Sequence, residues 1–164
     1  MQTRLNPIRH GLAVAALVSG TLAAAPLARA GSCPADAMRL DGTGQAKSAI
    51  AGKDVTDTVL SSVDLAKEPV NVQGRLLRLR KLVIEPGGVV PWHEHANRPA
   101  VIYIVSGEIT EYGSTCAVPI VHRAGETATE THSTSHWWKN TGKETVVLLS
   151  ADLFPTGAGN QHMM

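Results

Sequence analysis

Three histidines carry the strongest chemical signal in the sequence. In Pro91-Trp92-His93-Glu94-His95 two imidazoles stand two residues apart, and a third, His136, follows a stretch rich in Thr and Ser. Residues two apart on a strand point to one face, so His93 and His95 are expected to enter a shared interior together. Three neutral imidazoles converging from two strands can bind one divalent transition metal (Fe, Mn, Zn, Ni or Cu) and leave positions open for water or substrate. The three tryptophans sit beside these residues. Strand parity puts Trp138 on the side of His136 as a pocket wall, while Trp92 and Trp137 face outward or sideways. Packing in the core or at a dimer face is an equal claim on the same residues. Tyr103 is an extra candidate proton donor near the metal, with core packing as the competing expectation.

Other chemistries find no support. No Ser sits in a Gly-x-Ser-x-Gly turn, and there is no phosphate-cradling Gly loop or Rossmann fingerprint. The formal charge of +1 and the lack of a basic stripe exclude nucleic acid as a partner. His122 reads as an outer strand position. His162, Met163 and Met164 resemble a soft copper-binding tail, but a frayed terminus is the expectation.

The elements that must position the histidines are short strands. Arg75 to Ile84 is a predicted strand closed by the turn signal Glu85-Pro86-Gly87-Gly88. Val89–His95, Ala100–Val105, Glu108–Tyr112, Val118–His122, Glu126–Thr131, His136–Lys139 and Thr145–Leu153 follow with turns between them. Strands this short and regular predict an all-β barrel or sandwich over 70–154. Residues 31–69 read as an irregular arm with a short outer strand, and 155–164 as a loose tail.

Residues 1–30 have the layout of a signal peptide. A basic start (Arg4, Arg9, His10) precedes an apolar run from Gly11 to Ala25, and Ala28-Arg29-Ala30 marks a cleavage point. Its loss removes Arg4, Arg9 and Arg29 from fifteen basic residues and none of the fourteen acids, leaving the mature chain at −2. The expected location is exported, periplasmic or secreted, with no membrane attachment after cleavage. In an oxidising compartment Cys33 and Cys116, the only cysteines, are expected to form a disulfide that ties the arm to the barrel.

The stretch Gly87-x5-His93-x-His95-x11-Gly107 resembles the first motif of the cupins, and Gly125-x10-His136-x3-Asn140 the second. The resemblance covers about 70–154 and implies a double-stranded β-helix, the cupin jelly-roll barrel, with a metal held inside on His93, His95 and His136. It also implies a possible homodimer formed through an outer sheet. The chain departs from the motif at Ala100, where the family places a metal-binding Glu, and at Thr131 and Ser133, where Pro and Gly are usual. A three-histidine site results, unless another residue completes the set. Glu111, on the parity of Ile109, and Glu130, just before the turn to His136, are candidates, although solvated carboxylates are the favoured expectation. His132 could approach from the same turn but is expected to be exposed. The fold hosts many chemistries, so it does not choose a reaction. The leading expectation is an exported, metal-dependent, oxygenase-like enzyme acting on a small organic molecule. The alternative is a non-catalytic barrel that binds a metal or small ligand.

Overall fold

The computed structural model describes residues 31–157. The predicted leader and the tail from 158 onward lie outside the described residues. Eight strands follow one short 3-10 turn at Ala35–Ala37: β1 (Lys53–Asp64), β2 (Arg75–Glu94), β3 (Ala100–Ser106), β4 (Glu108–Gly113), β5 (Ile120–Arg123), β6 (Thr127–Glu130), β7 (Ser135–Lys139) and β8 (Val146–Pro155). They pair antiparallel in the order β5-β4-β7-β2-β8-β3-β6, with β1 added to β2. The fold is all-β, a nearly closed barrel of the double-stranded β-helix type.

Period-two alternation explains the strands that line the interior. In β3, Ala100, Ile102 and Ile104 are buried while Val101, Tyr103 and Val105 are exposed. In β8, Val146, Leu148, Ser150 and Asp152 turn inward. The core gathers Leu82, Ile84, Ile104, Ile109, Val146 and Leu148. Buried polar residues share the interior with them, and the site lies where the two meet.

The largest departure from the sequence-based expectation is at Glu85–Gly88. Pro and Gly there predict a turn between two strands, yet β2 runs unbroken through them for 20 residues. The segment is a bend: pairing with β1 jumps from Val55↔Ile84 to Lys53↔Val89, the register slip of a β-bulge. Gly88 is required, because a Cβ there would meet Asp54 O and Glu85 O at 2.8 Å. The bend lets one strand serve two sheets. Its first half pairs with β8, and its second half, carrying His93, pairs with β7.

Cys33 and Cys116 are joined in a disulfide. Around it the arm lies along the barrel, with Arg39 N donating to Thr115 O and Gln45 N to Gly113 O. The outer strand of this region, β1, is twelve residues long rather than short. Among the described residues no helix is long and apolar enough to cross a membrane.

Candidate metal centre

His93 lies directly opposite His136 across the β2–β7 ladder, and His95 follows where β2 ends. The three rings converge, with centroids 4.6–5.0 Å apart. Their Nε2 atoms point at one another: His136 Nε2 is 3.1 Å from that of His93 and 3.1 Å from that of His95.

The other ring nitrogen of each histidine has an acceptor. His93 Nδ1 donates to Pro91 O at 2.9 Å, and His95 Nδ1 to Arg98 O at 2.8 Å. His136 Nδ1 lies 2.7 Å from Glu111 Oε1 and 3.0 Å from the indole Nε1 of Trp138; the carboxylate, closer and charged, takes its proton. A proton fixed on each Nδ1 leaves each Nε2 as a bare lone pair. Bare lone pairs 3.1 Å apart repel unless a cation lies between them. Nitrogens at that spacing can each reach an ion about 2.1 Å away. The donor set therefore fits a divalent transition metal, which His93, His95 and His136 could hold.

Electrostatics favours the unprotonated rings. Burial, then the neighbouring His136, pushes His93 well below its usual range and His95 down to about 4. Glu111 is buried, which alone would raise its pKa. Hydrogen bonds from His122 and His136 outweigh burial and bring it down to about 2. The ionised carboxylate spans two rings, with Oε2 on His122 Nε2 at 2.8 Å and Oε1 on His136. It therefore orients a metal-facing histidine from behind. Trp138 stacks on His122 and stands edge-on to His136, walling the pocket as its parity suggested.

Glu130 is the second carboxyl at the site. It is 2% exposed, with Oε2 3.3 Å from His136 Nδ1 and 4.0 Å from His95 Nε2. Neither oxygen makes a hydrogen bond with a described residue. Burial and the charge of Glu111 raise it well above the usual carboxyl range. With Glu111 and His136 it forms a second group that could hold a metal. Its position is informative, because Glu130 is the ladder partner of Ala100. The carboxylate missing from position 100 thus enters the same interior from the next strand.

Four placements correct the sequence reading. Glu111 and Glu130 are buried in the site, where solvated strand-edge carboxylates were favoured. His122 is 1% exposed and bonded to Glu111, so it is not an outer residue. Tyr103 is no pocket residue: it alternates with inward Ile102 and Ile104 and is 45% exposed on the outer face. Apart from these four, His132 is an exposed residue in the Thr131–Thr134 turn. Trp137 stacks on Tyr112 at 4.1 Å, away from the pocket. Arg80 and Ser150, which the sequence gave no reason to single out, line the cavity beside the histidines.

Comparisons with known proteins bear on the fold. The cupin domain family model matches residues 80–152. No curated protein sequence matches the chain. Among solved structures, a Klebsiella pneumoniae protein with a double-stranded β-helix domain superposes with TM-score 0.50 at 16% identity, over 74% of this chain and 90% of that one. A cupin domain of an XRE-family transcriptional regulator from Enterobacter cloacae gives 0.49 at 12%, over 63% and 99%. The Schizosaccharomyces pombe Cnp3 cupin domain gives 0.49 at 15%, and the chain spans 64% of that protein's length, matching over 64% of its own. With the histidines of both motifs brought together inside a double-stranded β-helix, and the family model lying across the strands that hold them, residues 80–152 are a cupin domain.

Proposed function

We propose that this cupin is exported, holds one divalent transition metal on His93, His95 and His136, and acts as an oxygenase-like enzyme on a small organic molecule. The observation that carries the reading is the set of three Nε2 lone pairs aimed at one point, each fixed by an acceptor on the opposite ring nitrogen. A bound ion would supply Lewis acidity or, where it is redox-active, electron exchange with dioxygen.

The protein's own groups supply the rest. The histidines line a cavity in company with Trp138, Glu130 and Arg80. Val90, Ile102 and Leu148 exclude water from its walls. Glu130, its oxygens unpaired and its pKa raised, holds a proton at the edge of the site and is placed to give it up to a bound molecule. Glu111 holds the His136 ring. Export is supported by the Cys33–Cys116 disulfide, which persists in oxidising compartments.

The test is metal content by mass spectrometry of mature protein from its native compartment, for wild type and His93→Ala/His136→Ala. Near-stoichiometric metal in the wild type that vanishes in the double variant supports the site, and dioxygen uptake across a substrate panel then tests the reaction. A wild type that retains no metal after reconstitution with Fe, Mn, Zn, Ni or Cu refutes the proposal.

A further inference from the structure

Gly31, the residue after the expected cleavage point, lies in a niche against β5 and the turn that follows it. Its nitrogen donates to Val121 O at 2.9 Å. Its φ is +83°, and a Cβ there would stand 3.2 Å from Glu126 Oε2 and 3.3 Å from His122 Nδ1. Glycine therefore lets the backbone approach a carboxylate and an imidazole that a side chain would crowd. Two residues on, Cys33 ties the same segment to Cys116.

The niche lacks donors. His122 is 1% exposed, and its Nε2 lies 2.8 Å from the Glu111 carboxylate, which accepts its proton. Nδ1 is then a bare lone pair, and no described residue donates to it. A buried acceptor without a donor is costly. Glu126 Oε2 accepts from Arg123 N at 2.7 Å, which leaves its charge and further lone pairs beside Gly31. A peptide N–H at Gly31 offers one donor, already spent on Val121 O. A free α-ammonium offers three, together with a positive charge. Three acceptors border the niche: Val121 O, the Glu126 carboxylate and His122 Nδ1.

We propose that the niche is a seat for the processed N-terminus, in which the α-ammonium of Gly31 donates to Val121 O, Glu126 and His122 Nδ1. Hydrolysis of the Ala30–Gly31 bond by an external peptidase adds one water, leaving a carboxylate on Ala30 and the ammonium on Gly31. The seated terminus fastens the arm to β5, the end strand of the sheet. It also backs the metal centre, because His122 bonds to the Glu111 that holds His136. The proposal rests on the export reading above.

Two tag-free chains test it, residues 31–164 beginning at Gly31 and residues 30–164 beginning at Ala30, compared without metal and with zinc. The Gly31 chain should melt about 2–4 °C higher, as a partly exposed ion pair in a domain of this size implies. Its His122 Nδ1 signal should move upfield in nitrogen-15 spectra relative to the longer chain, since its lone pair gains a donor. Glu126→Gln should remove most of the thermal difference; if that variant does not fold, the Nδ1 signal carries the test. Equal melting, an unmoved Nδ1 signal, or a thermal difference that survives Glu126→Gln each overturns the seat and leaves export standing. Intact mass of the protein from its native compartment tests the reading beneath: a terminus other than Gly31 rejects the cleavage point, and this proposal with it.

Discussion

Glu111→Gln isolates what the carboxylate behind His136 contributes. Glu111 is buried and accepts one hydrogen bond from each of two imidazoles, at 2.7 and 2.8 Å. Gln keeps the shape and loses the charge. Its amide oxygen can accept from His136, but its NH₂ is accommodated only if His122 moves its proton to Nδ1, which has no partner among the described residues, so two bonds to a charged acceptor become weaker neutral ones. Hydrogen bonds from His122 and His136 hold the carboxyl down from 4.5 to about 2; at 1.36 kcal/mol per pH unit that preference for the charge is on the order of 3 kcal/mol. Metal-free Glu111→Gln should therefore be less stable by about that much. Metal affinity should fall about 10- to 100-fold, because His136 is no longer held with its proton on Nδ1. Chelator competition against cobalt or zinc measures the affinity, and urea unfolding of the stripped protein measures the stability. The reasoning is refuted if the folded variant binds metal within twofold of wild type while His136→Ala binds none.

Two further outcomes follow from the same site. In the metal-free protein His95 keeps its proton off down to about pH 4, whereas the unfolded chain takes one near 6.5; stability is therefore lost as pH falls across that window, by about 3 kcal/mol for this group. Glu130, raised rather than lowered, acts with the opposite sign by costing stability as pH rises above 4.5, so unfolding is best compared in Glu130→Gln with and without His95→Asn; equal slopes between pH 6.5 and 4.5 would remove the effect from His95. Ala100→Glu, which restores the family residue, should destabilise by about 3–5 kcal/mol because it adds an unpaired buried charge, and Ala100→Glu/Glu130→Ala should recover most of that and retain metal. A double variant no more stable than the single one contradicts an exchange between these two positions.

The histidine triad was legible because its signal is local. His93 and His95 share a face by parity alone, and the Gly and Asn spacing around His136 repeats the second cupin motif. Glu111 and Glu130 were legible only as candidates, with solvated carboxylates favoured, and His122 not at all, because their roles depend on which strands neighbour one another. Glu111 meets His136 only because β4 pairs with β7, and His122 only because β5 pairs with β4. Arg80 was hidden by an ambiguity of phase. In Leu76-Leu77-Arg78-Leu79-Arg80 the apolar residues appear to claim the interior, yet Leu77 and Leu79 are 44% and 37% exposed and Arg80 is buried. Counting back by twos from the buried Leu82 and Ile84 would have placed Arg80 and Arg78 inside. The bulge at Glu85–Gly88 was read as a turn because Pro and Gly mark both, and only pairing with β1 on either side distinguishes them.

The departure at Ala100 follows from the rung in which it sits. Across β8, β3 and β6 the inward positions of that rung are Asp152, Ala100 and Glu130, with Ala100 the ladder partner of both acids. A Glu in the middle would line up three buried carboxyls on neighbouring strands, and like charges directly opposite destabilise a sheet. Asp152 is committed to the arginines, with Arg78 held in a two-bond grip, so it has little charge left to offer a neighbour. A small residue at 100 keeps the two acids apart and leaves the interior open between Glu130 and the imidazoles. The carboxyl that the family carries on β3 is thus met here on β6, and the arginines of β2 fill the rung beside it. The missing motif residue and the buried arginines belong to one arrangement: with no acid at position 100, Asp152 is held by Arg78 on one side of the rung and Glu130 stands against the imidazoles on the other.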